Sequence, residues 1–460
     1  MQAQNVQQFI DQHPFSPLQK RLLALCFLVV AIDGFDTASI GFIAPALRGE
    51  WQLSAAALAP LFGAGLFGLM AGALLLGPLA DRHGRKPILI LSVAFFGLTS
   101  LLSSFATDMT TLLVLRFLTG LGLGGAMPTT ITLTSEYCPQ ARRASLVTLM
   151  FCGFTIGSAL GGLVAAQLLA TVGWRGILMI GGVLPLALIP FLVLALPESL
   201  RWLVLRGRDG GAIARRIAGK AAPLPTFVVN DARLPGSPVT QLFRPGLVAG
   251  TLLLWATFFM SLLIIYLLSS WLPTILNAAG HSLSQASFIS SAFQIGGTIG
   301  AILLGRWMDR FRPHRVLALA YGAAALCIAA VGVLTDNVPL LVLAVFGVGF
   351  GVSGSQVGAN ALAAAFYPTT SRATGVSWAS AIGRSGSVLG SMVGGALLAA
   401  ELSNQTIFLL LAAPAVLAAC ALLAMGRLQA RVQPETAGAG AGAEAAPLMP
   451  LQPSTHNRHA

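Results

Sequence analysis

Charged side chains are scarce in this chain. They make up 9% of its 460 residues, whereas hydrophobic residues make up 56% and the mean hydropathy is +0.81. A soluble chain usually carries about 25% charged residues. This shortage excludes one large soluble domain and predicts an integral membrane protein with many spans.

Paired cysteines and catalytic motifs are also missing. The five cysteines form no Cys-x-x-Cys pair and four of them lie in apolar segments, so neither structural disulfides nor a metal site is expected. The chain has no Gly-x-Ser-x-Gly elbow, no His-Glu-x-x-His helix and no phosphate-binding loop. These absences argue against a membrane enzyme and against ATP as an energy source, and no cofactor is expected.

Basic residues are almost absent from one set of loops. Of the 27 Lys and Arg residues, only Arg48 and Arg175 fall in that set, and Arg116 and Arg384 fall inside apolar segments. The other basic residues lie in the opposite loops and in the two tails. This asymmetry predicts a protein of a bacterial-type inner (plasma) membrane with both termini on the cytoplasmic side. The net charge of +12 is therefore a topology signal, and no nucleic-acid partner is expected.

Long apolar segments are what the chain does contain. Each has roughly 20 residues, enough for a helix across a hydrocarbon core of about 30 Å, and helices satisfy their own backbone groups in lipid. The twelve segments cover 22–46, 54–76, 88–105, 111–134, 145–169, 176–196, 247–270, 286–305, 314–334, 338–362, 374–400 and 406–425.

A polar stretch between the sixth and seventh segments divides the chain into two halves. The predicted units are a cytoplasmic N-terminal segment (1–21), an N-terminal six-helix bundle (22–196), a cytoplasmic middle loop (197–246), a C-terminal six-helix bundle (247–425) and a disordered cytoplasmic tail (426–460). The tail is rich in Ala and Gly, a low-complexity composition typical of disorder.

The two halves repeat each other. GPLADRHGRKP begins at Gly77 and GRWMDRFRPHR begins at Gly305, an offset of 228 that keeps Gly-x-x-x-Asp-Arg in both. GSALGG at Gly157 is echoed by GSVLGS at Gly386, an offset of 229. These matches predict an all-α membrane protein of two pseudo-symmetric six-helix bundles, related by an axis normal to the membrane.

Four ionisable residues lie inside the spans: Asp33, Asp36, Arg116 and Arg384. Each costs about 2.5–3.5 kcal/mol at a helix centre, so the four are expected to pair and to face a shared wet cavity. An Arg can hold a carboxylate, and an Asp that this anion releases can take a proton. The pattern predicts a site for an anion and a proton, with Asp33 and Asp36 in proton coupling and Asp36 slightly favoured. A permanent ion pair that only locks helices remains the alternative.

Polar and aromatic residues at helical spacing mark the other faces of this cavity. Ser/Thr stripes also hold membrane helices together, and aromatic stripes also pack in cores. A stacking wall for a planar ring is the alternative for the aromatic stripe of the seventh span. The candidate substrate-binding residues are Arg116, Arg384, Trp255, Phe259, Tyr266, Gln294, Gln356 and Ser380.

Charged residues at the cytoplasmic helix ends form a candidate gate. Asp81, Arg85, Glu136, Arg143, Asp309 and Arg372 can form salt bridges that hold an outward-facing state and break as the halves rock. Solvated loop charge is the simpler alternative for any one of them.

The complete signature Gly-x-x-x-Asp-Arg-x-Gly-Arg-Lys at Gly77–Lys86 resembles that of the major facilitator superfamily. DGFDTASIGFIAPAL, GLGLGGAMP, SSWLPT and YPTTSRATGVSWASAIGR resemble its aromatic acid:H⁺ symporter branch over most of residues 20–425. The resemblance implies the major facilitator fold and uptake of a benzoate-type carboxylate with H⁺, driven by the proton gradient, in a protein that works as a monomer. It marks Gly77, Asp81, Gly84 and Arg85 as a gating loop and adds Glu136, His314 and Arg372 to the functional charges.

The second-half loop departs from this signature, because FRPHR follows Asp309-Arg310. Gating by the second half is therefore expected to use fewer contacts. The residues do not fix the direction of transport, so a proton-antiport exporter of aromatic or amphiphilic compounds remains the second hypothesis. A chemoreceptor role would need a signalling domain, and none is recognised.

Overall fold

The computed structural model describes residues 3–219, 225–228, 240–244, 246–367, 372–400 and 402–441. Almost all of this part is helical. The helices of the N-terminal part are α1 (Val6–Gln12), α2 (Pro17–Trp51), α3 (Ala55–His83), α4 (Arg85–Ser103), α5 (Met109–Tyr137), α6 (Arg143–Ala195), α7 (Leu200–Leu205) and α8 (Gly211–Ala218). Those of the C-terminal part are α9 (Val248–Ala278), α10 (Leu283–Arg310), α11 (Pro313–Val331), α12 (Val338–Val348), α13 (Gly354–Phe366), α14 (Arg372–Ala399) and α15 (Asn404–Ala441).

These helices supply the twelve membrane spans. Ten helical stretches of the described part are long and apolar enough to cross a membrane. One of them contains both the fifth and sixth spans, because α6 turns at Gly173, whose φ of 66° and ψ of −178° are not helical. The serine-rich α14 is the eleventh span and completes the twelve. The tenth span runs from α12 into α13 through a π-helical turn at Gly349–Ser353.

Local sequence explains where the helices begin. Ser16 and Gln19 form a reciprocal capping box at the start of α2, followed by Pro17 in the first turn, and this satisfies backbone groups that a helix end leaves open. Asp108 caps α5 and accepts hydrogen bonds from the Thr111 hydroxyl and backbone N–H. These bonds stabilise the carboxylate and hold the pKa of Asp108 below its usual range.

The internal duplication is visible in the packing of glycines against backbone carbonyls. A Cβ at Gly157 would overlap the Ala31 carbonyl, and a Cβ at Gly386 would overlap the Phe259 carbonyl. These are corresponding positions, at offsets of 229 and 228. The same correspondence relates Gly68 on the Phe117 carbonyl in α3 and α5 to Gly296 on the Phe346 carbonyl in α10 and α12. The predicted pseudo-symmetry of two bundles is confirmed.

We call α2–α6 the first half and α9–α15 the second half. The Gly84 side is the face where Gly84, Tyr137 and Pro313 lie, and the Glu50 side is the opposite face, with Glu50, Asp108 and Asn337.

The halves meet closely toward the Glu50 side. A Cβ at Gly41 of α2 would overlap the Ser269 carbonyl of α9, and a Cβ at Gly395 of α14 would lie 3.1 Å from Ala59 Cβ of α3. Phe62 of α3 also contacts the Trp271 ring of α9 edge-on, with centroids 4.9 Å apart. The Glu50 side of the structure is therefore closed between the halves.

The segments predicted as an N-terminal segment and a middle loop are partly ordered and contact each other. Strand β1 (Ala3–Asn5) pairs in parallel with β2 (Thr226–Val228), and Phe9 of α1 packs edge-on against Phe227. At the other end, α15 continues to Ala441, whereas disorder was predicted from residue 426. The stretch RLQAR at 427–431 consists of strong helix formers, which explains the first turn of this extension. Residues 442–460 lie outside the described part.

Candidate functional site

Asp36 and Arg116 form a buried ion pair inside the first half. Arg116 Nη1 lies 3.3 Å from Asp36 Oδ2, and the two residues are 4% and 3% exposed. Ser100 of α4 donates to Asp36 Oδ1 at 2.5 Å. Arg116 Nη2 donates to Ser103 at 2.9 Å and to Thr119 at 3.2 Å. The charges of this pair are therefore compensated within one half.

Asp33 has a different environment one helical turn earlier. Thr37 donates to Asp33 Oδ1 at 3.1 Å, while the buried Oδ2 atom has no hydrogen-bond partner among the described residues. The charge of Arg384, from the second half, acts on the Asp33 carboxylate and on the Tyr266 hydroxyl. Electrostatic interaction thus links Asp33, Tyr266 and Arg384 across the interface, although no hydrogen bond or ion pair joins them among the described residues.

Arg384 is half-buried and lacks a close partner. Within the described residues, no ion pair or hydrogen bond engages its guanidinium group, although it lies in a membrane helix. Of the two intramembrane arginines, Arg116 is held by a carboxylate and Arg384 is available to an anion.

A small cavity lies beside the Asp36–Arg116 pair. It has room for solvent of about 50 Å³ and is lined by residues of α2, α3, α5 and α9, including Tyr266 and Ser270. An engineered cavity that takes benzene has about 150 Å³. In this conformation the cavity can hold a few waters but is too small for an aromatic ring.

The other predicted polar residues lie on the second half. Gln294 is buried and donates to Ser269 at 3.2 Å. Gln356 is half-buried, and its Oε1 atom has no partner among the described residues. Ser380 lies one turn before Arg384 on α14 and is half-buried.

The predicted aromatic stripe does not form one wall. Trp255 stacks on Trp378 with ring centroids 5.9 Å apart and contacts Phe243 edge-on at 5.7 Å. It precedes Tyr266 by eleven residues, about 16 Å along a helix, so one benzoate-sized ring cannot touch both. The half-buried Phe259 lies between them, where α14 packs on α9 next to Arg384.

The predicted gate residues of the first half contact one another. Arg85 is buried and lies 2.8 Å from Asp81 and 3.5 Å from Glu136. The Asp81 side chain is 74% exposed. A Cβ at Gly77 would meet no atom within 4 Å, so the structure gives no steric reason for a glycine there.

Gly84 separates α3 from α4 in a conformation that requires glycine. Its φ is 111°, and a Cβ there would overlap Glu198 Oε2. Glu198 caps α4 by accepting from the Arg85 backbone N–H at 2.9 Å and from that of Lys86 at 3.3 Å. Sequence reasoning missed Glu198, and its only signal was an acid directly after Pro197 at the end of the sixth span.

The remaining gate candidates are not brought together. Arg143 donates to Gln7 of α1 at 2.6 Å, so the N-terminal segment engages it. Asp309 is exposed, and no ion pair holds it in the part of the chain that the structure describes. His314 is half-buried next to Gly426. The side chain of Arg372 lies outside the described residues.

The hydroxyl groups around Arg116 were also missed. Thr99, Ser100 and Ser103 share one face of the third span at spacings of one and three residues. Thr99 also hydrogen-bonds to Thr119 at 3.1 Å. The helical spacing of these residues was the available signal.

Residues 26–330 and 254–458 match the Major Facilitator Superfamily. The chain belongs to this superfamily. It is 46% identical to the 4-hydroxybenzoate transporter PcaK of Pseudomonas aeruginosa, over 92% of this chain and 96% of that protein. It is also 46% identical to a gallate transporter of Pseudomonas putida, over 94% of this chain and 97% of that protein.

The solved structures agree on the fold. A crystal structure of a D-xylose-proton symporter matches with a TM-score of 0.69 and 20% identity, over 88% of this chain and 97% of that one. The twelve-helix major facilitator fold and the assignment to this superfamily are confirmed. Both sequence relatives are named as transporters and not as enzymes, which agrees with the lack of catalytic motifs.

Proposed function

We propose that this chain is a secondary transporter that carries an aromatic carboxylate, such as a hydroxybenzoate or gallate, together with H⁺ by alternating access. The single observation that supports it best is the contrast between the two intramembrane arginines. Arg116 is held by Asp36 in one half, while Arg384 has no ion pair or hydrogen bond among the described residues and acts on Asp33 across the interface only at longer range. The names of the two relatives indicate the substrate class.

Charge balance explains how the proton and the carboxylate are coupled. In the empty site, we expect ionised Asp33 to be the counter-charge of Arg384, because its carboxylate lies within range of the Arg384 charge. When Asp33 binds a proton, the Arg384 charge is uncompensated and can hold a carboxylate by charge-assisted hydrogen bonds. The site then has the same net charge when empty and when loaded with both. Loading with only one of them would leave a charge without compensation in a poorly solvated place, which is costly.

This reasoning favours Asp33 over Asp36 as the proton carrier. The sequence suggested Asp36 as the proton carrier because it was expected to lie nearer Arg116. In the structure, Asp36 does contact Arg116. The same proximity stabilises ionised Asp36, which also accepts a hydrogen bond from Ser100. In contrast, the Oδ2 atom of Asp33 has no hydrogen-bond partner among the described residues. Its counter-charge, Arg384, belongs to the other half, which is proposed to move relative to Asp33.

The ring of the substrate would lie between the halves next to Tyr266. This residue lies within range of both the Asp33 and the Arg384 charges, and its ring offers an apolar face beside them. Edge or offset contacts between rings contribute about 0.5–1.5 kcal/mol. A hydroxyl on the ring could pair with Gln356, whose oxygen lacks a partner among the described residues.

The contacts at the two faces are consistent with rocking of the halves. The Glu50 side is closed by backbone contacts between α2 and α9 and between α3 and α14. On the Gly84 side, the described ion pairs of Arg85 stay within the first half. The excess of basic residues in the loops of the Gly84 side supports a cytoplasmic position for that face, in a bacterial inner membrane. We expect a monomer that needs no cofactor and uses the proton gradient as its energy source.

Uptake by purified protein in vesicles tests the function. The interior is made alkaline, and accumulation of labelled 4-hydroxybenzoate or gallate is measured with and without a protonophore. Symport predicts accumulation that the protonophore abolishes. Accumulation only with an acidic interior would instead support the antiport exporter.

Two variants with matched controls test the assigned residues. Asp33→Asn should abolish accumulation driven by the pH gradient while exchange of labelled for unlabelled substrate continues, because exchange needs no net proton movement. Arg384→Gln should abolish both. The controls Asp336→Asn and Arg306→Gln change the same charges at exposed positions and should transport normally. Gradient-driven accumulation by Asp33→Asn would contradict the coupling scheme.

A further inference from the structure

A large groove lies on the second half, away from the interface between the halves. It has a volume of about 770 Å³ and is formed by the end of α10, the start of α11 and the π-helical turn. Its apolar walls include Trp307, Phe311 and Leu319, which are 45%, 65% and 75% exposed. Such large apolar surfaces on a membrane helix bundle face acyl chains.

One end of this groove is strongly cationic. Arg310, Arg312 and Arg315 line it where α10 ends and α11 begins, and no acidic residue lines it. All three are exposed, and within the described residues none has an ion pair or a side-chain hydrogen bond. The groove thus combines three unpaired guanidinium groups with an apolar channel.

This loop is the copy of the gating signature that departs from the full pattern. In the first half, Arg85 is neutralised by Asp81 and Glu136, and Glu198 caps the helix that follows. At the corresponding place the second half has Arg312 where the first has Gly84. The departure replaces an internally compensated gate by an uncompensated basic surface.

We propose that this groove is a binding site for an anionic glycerophospholipid of the phosphatidylglycerol type. The phosphodiester contacts Arg310, Arg312 and Arg315, and the acyl chains lie along the walls formed by Trp307, Phe311 and Leu319. Charge complementarity selects an anionic headgroup, because arginine binds phosphate oxygens through several N–H donors. The apolar channel next to the charges selects a lipid over a soluble phosphate. The proposal is independent of the transported substrate.

Fluorescence quenching by brominated lipids tests the site, because Trp307 lines the groove. The full-length protein is placed in phosphatidylcholine vesicles that contain a small fraction of acyl-brominated phosphatidylglycerol or acyl-brominated phosphatidylcholine. The signal of Trp307 is the difference between the protein and its Trp307→Phe variant. Each arginine near an anionic lipid surface contributes roughly fivefold in affinity. We therefore expect at least about a fivefold preference of the groove for the anionic lipid.

The arginines are tested against a variant of the same net charge. Arg310→Gln/Arg312→Gln/Arg315→Gln should reduce the preference to none. Arg142→Gln/Arg306→Gln/Arg427→Gln removes three exposed charges from the same face outside the groove and should keep it. Equal quenching of Trp307 by both lipids would overturn the proposal. So would an equal loss in both triple variants, which would indicate attraction by the whole face. Quenching that falls as protein density rises would assign the groove to a second copy of the chain.

Discussion

Two aspartates one helical turn apart are expected to respond to the same substitution to different degrees. Asp36→Asn removes the carboxylate that compensates buried Arg116, whereas Asp33→Asn removes a carboxylate whose Oδ2 atom has no hydrogen-bond partner among the described residues. Asp36→Asn should destabilise the fold strongly, and Asp33→Asn should destabilise it less, because Arg384 is half-buried and no ion pair joins it to Asp33 among the described residues. Both residues are nearly inaccessible, so a difference in exposure cannot produce this contrast.

The geometry of the ion pair gives the magnitude. Opposite unit charges 3.3 Å apart attract by about 5 kcal/mol at an effective dielectric constant of 20. Removing one partner of a buried pair costs about 3–5 kcal/mol, because the other charge is left without compensation. Replacing both partners removes that cost, so Asp36→Asn/Arg116→Gln should recover most of the stability lost in Asp36→Asn.

Thermal unfolding of the purified variants in one detergent measures these effects. A loss of 3–5 kcal/mol corresponds to several degrees in Tm, since the shift per kcal/mol falls with chain length to a few degrees or less. The double variant separates the loss of the pair from the loss of either charge alone, because it should unfold near the wild-type temperature although both charges are gone. Equal destabilisation by Asp33→Asn and Asp36→Asn would refute the assignment of the pair. A double variant less stable than Asp36→Asn would refute it as well.

Three further outcomes follow from the same geometry. Arg384→Gln should weaken binding of a hydroxybenzoate by about tenfold to a hundredfold, since hydrogen bonds to charged groups contribute about 1.5–3 kcal/mol. The ligand-induced shift in Tm measures this loss, and a shift equal to that of the wild type would mean that the carboxylate binds elsewhere. Gly84→Ala should lower Tm and the transport rate, because a positive φ costs a non-glycine residue about 1–3 kcal/mol and the added methyl group overlaps Glu198. Gly84→Ala/Glu198→Ala should recover only part of the lost Tm, and full recovery would mean that the positive φ carries no cost. Tyr266→Ala should weaken substrate binding in a titration while Trp255→Phe should not, because the two rings are separated by about 16 Å along α9. Equal losses of affinity would indicate that both rings contact the substrate.

The sequence was sufficient for the membrane spans, the duplication and the intramembrane charges. Hydrophobicity over about 20 residues is a local property, and a charge in lipid is conspicuous without any structure. Pairing of Asp36 with Arg116 was anticipated only as proximity. Which of two acids on one helix face meets a given arginine depends on the rotation of α2 against α5, and helical spacing alone does not contain that angle.

Contacts made by backbone and capping groups were beyond sequence reasoning. Glu198 caps α4 from 113 residues away, and nothing in the spacing of one segment indicates such a partner. A continuous wall of aromatics was one of two interpretations of the spacing on one helix, beside core packing. A membrane helix is longer than the substrate, so residues on one of its faces can lie at different depths, which spacing alone does not reveal.

The duplicated scaffold and the charges that break its symmetry have separate roles. The backbone contacts of the glycines repeat between the halves, but none of the four intramembrane charges does. At the offsets of the repeat, Asp33 corresponds to Ser261, which Tyr321 binds by a hydrogen bond, and Arg384 corresponds to Thr155, which hydrogen-bonds to Thr298 across the interface. The first half therefore contributes an unpaired acid and the second half an unpaired cation.

When two rigid bundles rock, distances within each bundle are kept and distances across the interface change. If the bundles rock as proposed, the Asp36–Arg116 pair, inside one bundle, persists through the cycle, while the separation of Asp33 from Arg384 varies with it. Under the proposed function, a proton on Asp33 and a carboxylate on Arg384 are thus sensitive to the conformational state, because their sites belong to different copies of the repeat.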